Sequence, residues 1–276
     1  MSKFNYVLKR IKKSKIIKEP FPHIEIGNFL KKKHYEELLQ NLLIKNLDQI
    51  DKKYILQYYP GAKLENLKLA ERPTGLGLVF KLKKESYSSL MKEFDSFLIS
   101  REFIETICEK LNASSEGWNL YEYNKDLNGY EISPHPDVTG KLVTYQINFS
   151  DENLKFYNLS TRLHSIKEEA KQKIAKLSSF RLRPWGEWHW FDVAKQIHFR
   201  KNNFFAFAPS STSYHSVKLE NYPENIEQRT MLRGFIASNE LLKIKEKSHW
   251  HSGNITNFPR YGPLRINAMY PFREHV

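Results

Sequence analysis

The sequence predicts an α+β chain, mainly β, built as a barrel or jelly roll with helices packed on its outside. Three observations predict it. Helical periodicity is confined to the first 112 residues and one later insert. From about residue 116 the text turns to short aromatic or β-branched runs spaced by turn signals. Strands that follow a helical region in this way suit a closed or double-sheet β architecture.

Each element is read in order. The first eighteen residues, MSKFNYVLKRIKKSKIIK, carry seven Lys or Arg and no acid, so residues 1–19 are expected to be a basic arm. Residues 20–30, PFPHIEIGNFL, alternate around Ile24 and Ile26 and stop at Gly27-Asn28, a short strand. Tyr35, Leu38, Leu39, Leu42 and Leu43 then fall at helical spacing. Turn signals stand at Pro60-Gly61 and Pro73-Thr74-Gly75. Residues 86–112 read as one or two helices, with apolar positions from Leu90 to Leu98 and from Phe103 to Leu111. WNLYEY, GYEIS and KLVTYQINF read as strands, and a Lys-rich insert at 163–178 as a helix. EWHWFDV, QIHFR, NFFAFAP and MLRGFIA complete the strands. The expected organisation is a strand-plus-helical region over 20–115, a catalytic core over 116–238 and an extension over 239–276.

Composition narrows the function classes. With 40% hydrophobic and 14% aromatic residues, the chain can build a core and is not disordered. No apolar run approaches the ~20 residues that span a bilayer. The single cysteine, Cys108, excludes an intrachain disulfide and sits in a helical pattern as a small hydrophobe. A cytoplasmic protein is expected. The +13 charge suits an anionic partner but is read first as Lys-rich solvated surface.

The chemistry lies in Pro134-His135-Pro136-Asp137. On an extended segment, residues i and i+2 point to one side, so an imidazole and a carboxylate converge. His215 lies 78 residues after Asp137, past an apolar strand and a small polar loop, and is the best third ligand. Two His and one carboxylate are the facial triad of non-haem Fe(II) oxygenases, which leaves metal positions open. His189 and His198 read as strand residues and His23 and His34 as structural. His249 and His251 lack a nearby carboxylate and read as surface residues.

Pro134-His135-Pro136-Asp137, Lys141, Val143-Thr144, His215-Ser216-Val217 and Arg229-Thr230 together resemble the Fe(II)/2-oxoglutarate-dependent oxygenase superfamily, in its prolyl-4-hydroxylase-like branch. PFPHIEIGNFL resembles the entry strand of that branch. The G-G-x-L segment of many members is absent; Trp185-Gly186-Glu187-Trp188 is the nearest match. The resemblance implies a double-stranded β-helix (jelly-roll) core, Fe(II), and 2-oxoglutarate and O₂ as cosubstrates. It implies a dioxygenase that hydroxylates a C–H bond and releases succinate and CO₂. Metal ligands are then His135, Asp137 and His215. Arg229 matches the arginine that grips the distal carboxylate of 2-oxoglutarate, a task suited to a planar guanidinium. Arg233 shares its strand parity and is its rival. Thr144, Gln146 and Asn148 on one strand face, and Tyr123 on the preceding strand, are candidates to assist. The substrate can be a small molecule, a glycan or a protein side chain, and nucleic acid is not the expected partner. Three alternatives stand beside this reading. One is a cupin-like metal enzyme without 2-oxoglutarate. Another is a non-catalytic jelly-roll module for an anionic ligand. The third is a zinc hydrolase, although no H-E-x-x-H motif is present.

Overall fold

The computed structural model describes residues 2–42, 56–57, 78–80, 84–126, 131–138, 140–150, 159–180, 186–219 and 229–241. The predicted turns at 60–61 and 73–75, His249, His251 and the extension past 241 lie outside these residues.

Two antiparallel sheets form the frame. The larger has β1 (His23–Ile26), β9 (Phe204–Phe207), β6 (Lys141–Phe149), β11 (Arg229–Ser238), β4 (Gly117–Asp126), β3 (Leu78–Phe80) and β2 (Leu56–Gln57), in that order. The smaller has β5 (Glu131–His135), β10 (His215–Lys218), β7 (Thr161–Ile166) and β8 (Phe191–Ile197). Among the described residues, four helices, α1 (Asn5–Lys13), α2 (Lys32–Leu42), α3 (Ser89–Leu98) and α4 (Arg101–Lys110), precede β4, and α5 (Lys171–Phe180) follows β7.

Strand alternation divides the work of the larger sheet. Val143, Tyr145, Ile147 and Phe149 of β6 share one buried cluster with Leu232 and Ile236 of β11 and with the helices. The other face carries Thr144, Gln146 and Asn148 and turns toward the smaller sheet. Between the sheets the apolar filling is divided. Phe21, Leu163, Ile197, Phe205 and Phe207 make one cluster, and Leu159, Phe199, Val217, Leu219 and Met231 another. The polar site lies in the space these clusters leave. At one pair of sheet edges, Lys195 of β8 reaches Glu25 of β1 at 2.6 Å.

The helices follow from the same patterning. Phe4, Val7 and Ile11 are fully buried, so the basic segment is not a free arm: α1 lays its apolar face on the helical core and turns its lysines outward. Ser88 and Ser100 cap α3 and α4, each hydroxyl accepting from the backbone N–H three residues on. The stacked rings of Tyr35 and Phe149 pin α2 to the end of β6, and the Tyr35 hydroxyl donates to the Ser150 carbonyl at 2.9 Å.

The insert expected as helix from 163 to 178 is a strand and then a helix. Thr161–Ile166 is β7, and the helix begins only at Lys171. Ile166, Ala170 and Ile174 do fall at helical spacing and pack in one cluster with Trp190, Phe191 and Tyr214. That spacing masked a six-residue strand joined directly to it.

Gly234 of β11 lies opposite Tyr145 of β6, whose fully buried ring covers it. A Cβ at Gly234 would overlap that ring, and the Tyr145 hydroxyl is held by Asn119 at 3.0 Å. Gly234→Ala is expected to cost about 1–3 kcal/mol of stability, as overpacking does. Urea unfolding followed by circular dichroism checks this, with Gly27→Ala, where a Cβ meets nothing, as the neutral control.

Candidate metal centre

His135 ends β5 and His215 opens β10, and the two residues are direct partners in the antiparallel register. Their rings stand 4.5 Å apart, centroid to centroid. Each ring is fixed by its own strand. His135 Nδ1 lies 2.7 Å from the Ser133 carbonyl and His215 Nδ1 lies 3.1 Å from the Ser213 carbonyl. A carbonyl can only accept, so each Nδ1 carries a proton, and in the neutral ring Nε2 keeps its lone pair. This is the tautomer a metal ligand needs.

Asp137 lies two residues past the end of β5, with its side chain nearly buried. Lys141 Nζ donates to Oδ1 at 2.6 Å and the Thr144 hydroxyl to Oδ2 at 2.6 Å. Its Oδ2 is 4.0 Å from His215 Nε2. One ligand atom from each of His135, Asp137 and His215 lies within 4.8 Å of the others. Two neutral imidazoles and one carboxylate, all on one side of an open space, fit a divalent transition metal with further coordination positions to fill.

The three side chains stand at the wall of a cavity of about 160 Å³ between the sheets. Phe205, Phe207 and Val217 supply apolar wall. Arg233, Glu122, Gln146, Thr161 and Lys141 supply polar wall. Arg233 sits between two partners in register, Glu122 of β4 on one side and Gln146 of β6 on the other. Gln146 Nε2 is buried with no hydrogen-bond partner among the described residues, while its Oε1 accepts from Thr161 at 3.3 Å.

Of the residues expected to hold the cosubstrate, Thr144 and Gln146 line the cavity, and Arg229, Tyr123 and Asn148 do not. Arg229 does not line the cavity. It is fully buried, with Nε donating to the Leu159 carbonyl at 2.9 Å and one terminal nitrogen to the Thr161 hydroxyl at 3.1 Å. Its other terminal nitrogen pairs with Asp126, and its carbon lies 4.7 Å over the Phe199 ring. Arg233, four residues on and of the same strand parity, is the arginine at the cavity wall. Tyr123 has the opposite parity. It pairs in register with Leu232 and sits in the helix-side core, with its hydroxyl on Met91 Sδ. Burial there holds its phenol protonated, well above the ordinary value. Thr144 does reach the cavity, but its hydroxyl serves Asp137. Asn148 shares the inward face, is fully buried and does not line the cavity; neither atom of its amide has a partner among the described residues.

Other expectations fall as follows. His189 and His198 are exposed, His189 on a one-turn 3₁₀ segment beside Glu187 rather than on a strand. His23 is buried on β1 and His34 packs on Phe4 and Tyr6. Glu122, at the cavity wall, and Asp126, behind it on Arg233, escaped the sequence reading. The signal was present: WNLYEYNKD places Glu122 and Asp126 on one parity, opposite to Tyr121 and Tyr123. Alternation alone does not say which parity faces the site.

No protein-family model and no curated protein matches this chain. Solved structures similar to it include prolyl hydroxylases and 2-oxoglutarate-dependent non-haem enzymes. One is a Trichoplax adhaerens prolyl hydroxylase in complex with a hypoxia inducible factor oxygen degradation domain peptide fragment. It is 13% identical, the match covers 87% of this chain and 91% of that one, and the TM-score is 0.49. A Pseudomonas putida prolyl-4-hydroxylase is 9% identical, with 86% and 99% covered and a TM-score of 0.48. SnoN, a non-haem alpha-ketoglutarate-dependent epimerase from nogalamycin biosynthesis, is 10% identical, with 85% and 83% covered and a TM-score of 0.45.

The hydrogen bond from Thr144 to Asp137 gives a test of the centre by itself. Thr144→Val removes the donor and keeps the shape. Loss of such an outer partner is expected to weaken divalent metal binding by about tenfold. Titration of the metal-free protein with Mn(II) or Co(II) measures it, with the fold checked by circular dichroism.

Proposed function

We propose that this chain is an Fe(II)- and 2-oxoglutarate-dependent dioxygenase that hydroxylates a C–H bond and releases succinate and CO₂. One observation carries the reading: His135, Asp137 and His215 converge at a cavity wall, with both imidazoles held in the metal-binding tautomer. Iron bound there supplies, with O₂ and 2-oxoglutarate, the oxidising power to put one oxygen atom into substrate and the other into succinate.

The chain's own residues orient and exclude. Thr144 and Lys141 fix the Asp137 carboxylate. Arg233 is our candidate for the distal carboxylate of the cosubstrate, with the Gln146 amide as second donor. A guanidinium and an N–H₂ group on neighbouring strands match two carboxylate oxygens. Arg229 stands behind Thr161 and supports that wall through the Thr161 hydroxyl. Phe205, Phe207 and Val217 keep bulk water from the reacting centre.

We read β4 to β11 as a double-stranded β-helix. Strand order supports this: β9, β6, β11 and β4 are neighbours in one sheet, β5, β10, β7 and β8 in the other. The chain therefore passes repeatedly between the sheets, and the two histidines meet because β5 and β10 are adjacent. Residues 116–238 are then the catalytic core, and the helices before it cover the outer face of the larger sheet. No helix among the described residues is long and apolar enough to cross a membrane.

Anaerobic addition of Fe(II) and then 2-oxoglutarate tests the reading. A weak visible charge-transfer band is expected, lost in His135→Ala. Arg233→Ala is expected to raise the 2-oxoglutarate dissociation constant about tenfold or more, the scale for losing a charge-assisted pair. Iron binding without a band removes 2-oxoglutarate from the account and favours a cupin-like metal enzyme.

A further inference from the structure

We infer that Arg233 is bracketed by two carboxylates with opposite effects on the cosubstrate: Asp126 holds the guanidinium in place, and Glu122 competes with the incoming distal carboxylate. The inference rests on the dioxygenase reading above.

The geometry separates the two acids. Asp126 is fully buried and its Oδ2 accepts from both Arg229 and Arg233. Arg229 is already committed on all three nitrogens, to a carbonyl, a hydroxyl and Asp126. Its position therefore does not change when the cavity fills. Asp126, paired opposite Arg229 in register, is fixed with it. Arg233 meets this frame at its edge, with one terminal nitrogen on Asp126 and Nε on Met231 Sδ at 3.0 Å. Asp126 is thus a positioning residue, which sets the direction of Arg233 while staying outside the cavity wall.

Glu122 stands differently. It pairs directly opposite Arg233 on the inward face and lines the cavity itself. Direct partners in an antiparallel pair bring their Cβ atoms within about 5 Å. Its side chain is half-buried rather than fully buried. An arriving carboxylate must share Arg233 with this one, in a setting where like charges repel. Glu122 therefore lowers affinity for the dicarboxylate and acts as a specificity-determining residue.

The test uses the full chain with Fe(II) under anaerobic conditions. It compares 2-oxoglutarate with pyruvate, which has the same 2-oxo acid head and no distal carboxylate. Glu122→Gln is expected to tighten 2-oxoglutarate about fivefold, the scale of one partly exposed charge pair, and to leave pyruvate unchanged. Asp126→Asn is expected to weaken 2-oxoglutarate about tenfold and again to leave pyruvate unchanged. A general structural defect would weaken both ligands together. If Asp126→Asn does not fold, Glu122→Gln decides alone. Unchanged or weaker 2-oxoglutarate binding in Glu122→Gln, or equal shifts for both ligands, overturns the inference. Absence of any 2-oxoglutarate band in the unaltered protein overturns the dioxygenase reading instead, and this inference with it.

Discussion

The site depends on one strand pairing, that of β5 with β10. It places His135 directly against His215, and every other feature of the centre is arranged around that contact. Local backbone sets the rings. Each imidazole turns its Nδ1 back to a carbonyl two residues upstream on its own chain, so ring orientation and tautomer are set by local backbone rather than by distant groups. Asp137, two residues beyond His135, is then brought to the same side by chain connectivity. Lys141 and Thr144, at the start of the next strand, grip it by two hydrogen bonds. A cluster assembled this way is held in place by rigid elements.

The second constraint is electrostatic. Arg229 and Asp126 are both fully buried, a costly arrangement unless paired and hydrogen-bonded. They are paired, and the remaining donors of Arg229 meet a carbonyl and a hydroxyl. This pair lies just outside the wall and Arg233 just inside it. The same strand face thus provides an anchored guanidinium and an accessible one, four residues apart. Buried charge here builds the frame that aims a ligand-facing charge.

Much of this is legible in the sequence, for physical reasons. KLVTYQINF is read as a strand with the bounds it takes, because its alternation and β-branched content agree. The convergence of His135 with Asp137 is legible because i, i+2 spacing on an extended segment is itself a geometry. What fails is what depends on partners far away in the chain. Arg229 and Arg233 have the same parity, and only the position of Leu159 and Thr161 shows which one is sealed off. Tyr123 is a candidate in the sequence until register with Leu232 puts it in the helix-side core. The basic stretch at the start reads as a loose arm because its charge dominates. Phe4, Val7 and Ile11 are nevertheless enough to seat it as a helix. β7 was hidden because the helical spacing of Ile166, Ala170 and Ile174 runs on from it without a break.

The central claim is that one metal ion and one dicarboxylate share this cavity. The most direct measurement is a crystal structure with Mn(II) and a non-reactive amide isostere of 2-oxoglutarate. The account predicts one metal on His135, Asp137 and His215, with the distal carboxylate of the isostere on Arg233 and Gln146. A metal held by other residues, or a distal carboxylate lying away from Arg233, would contradict it.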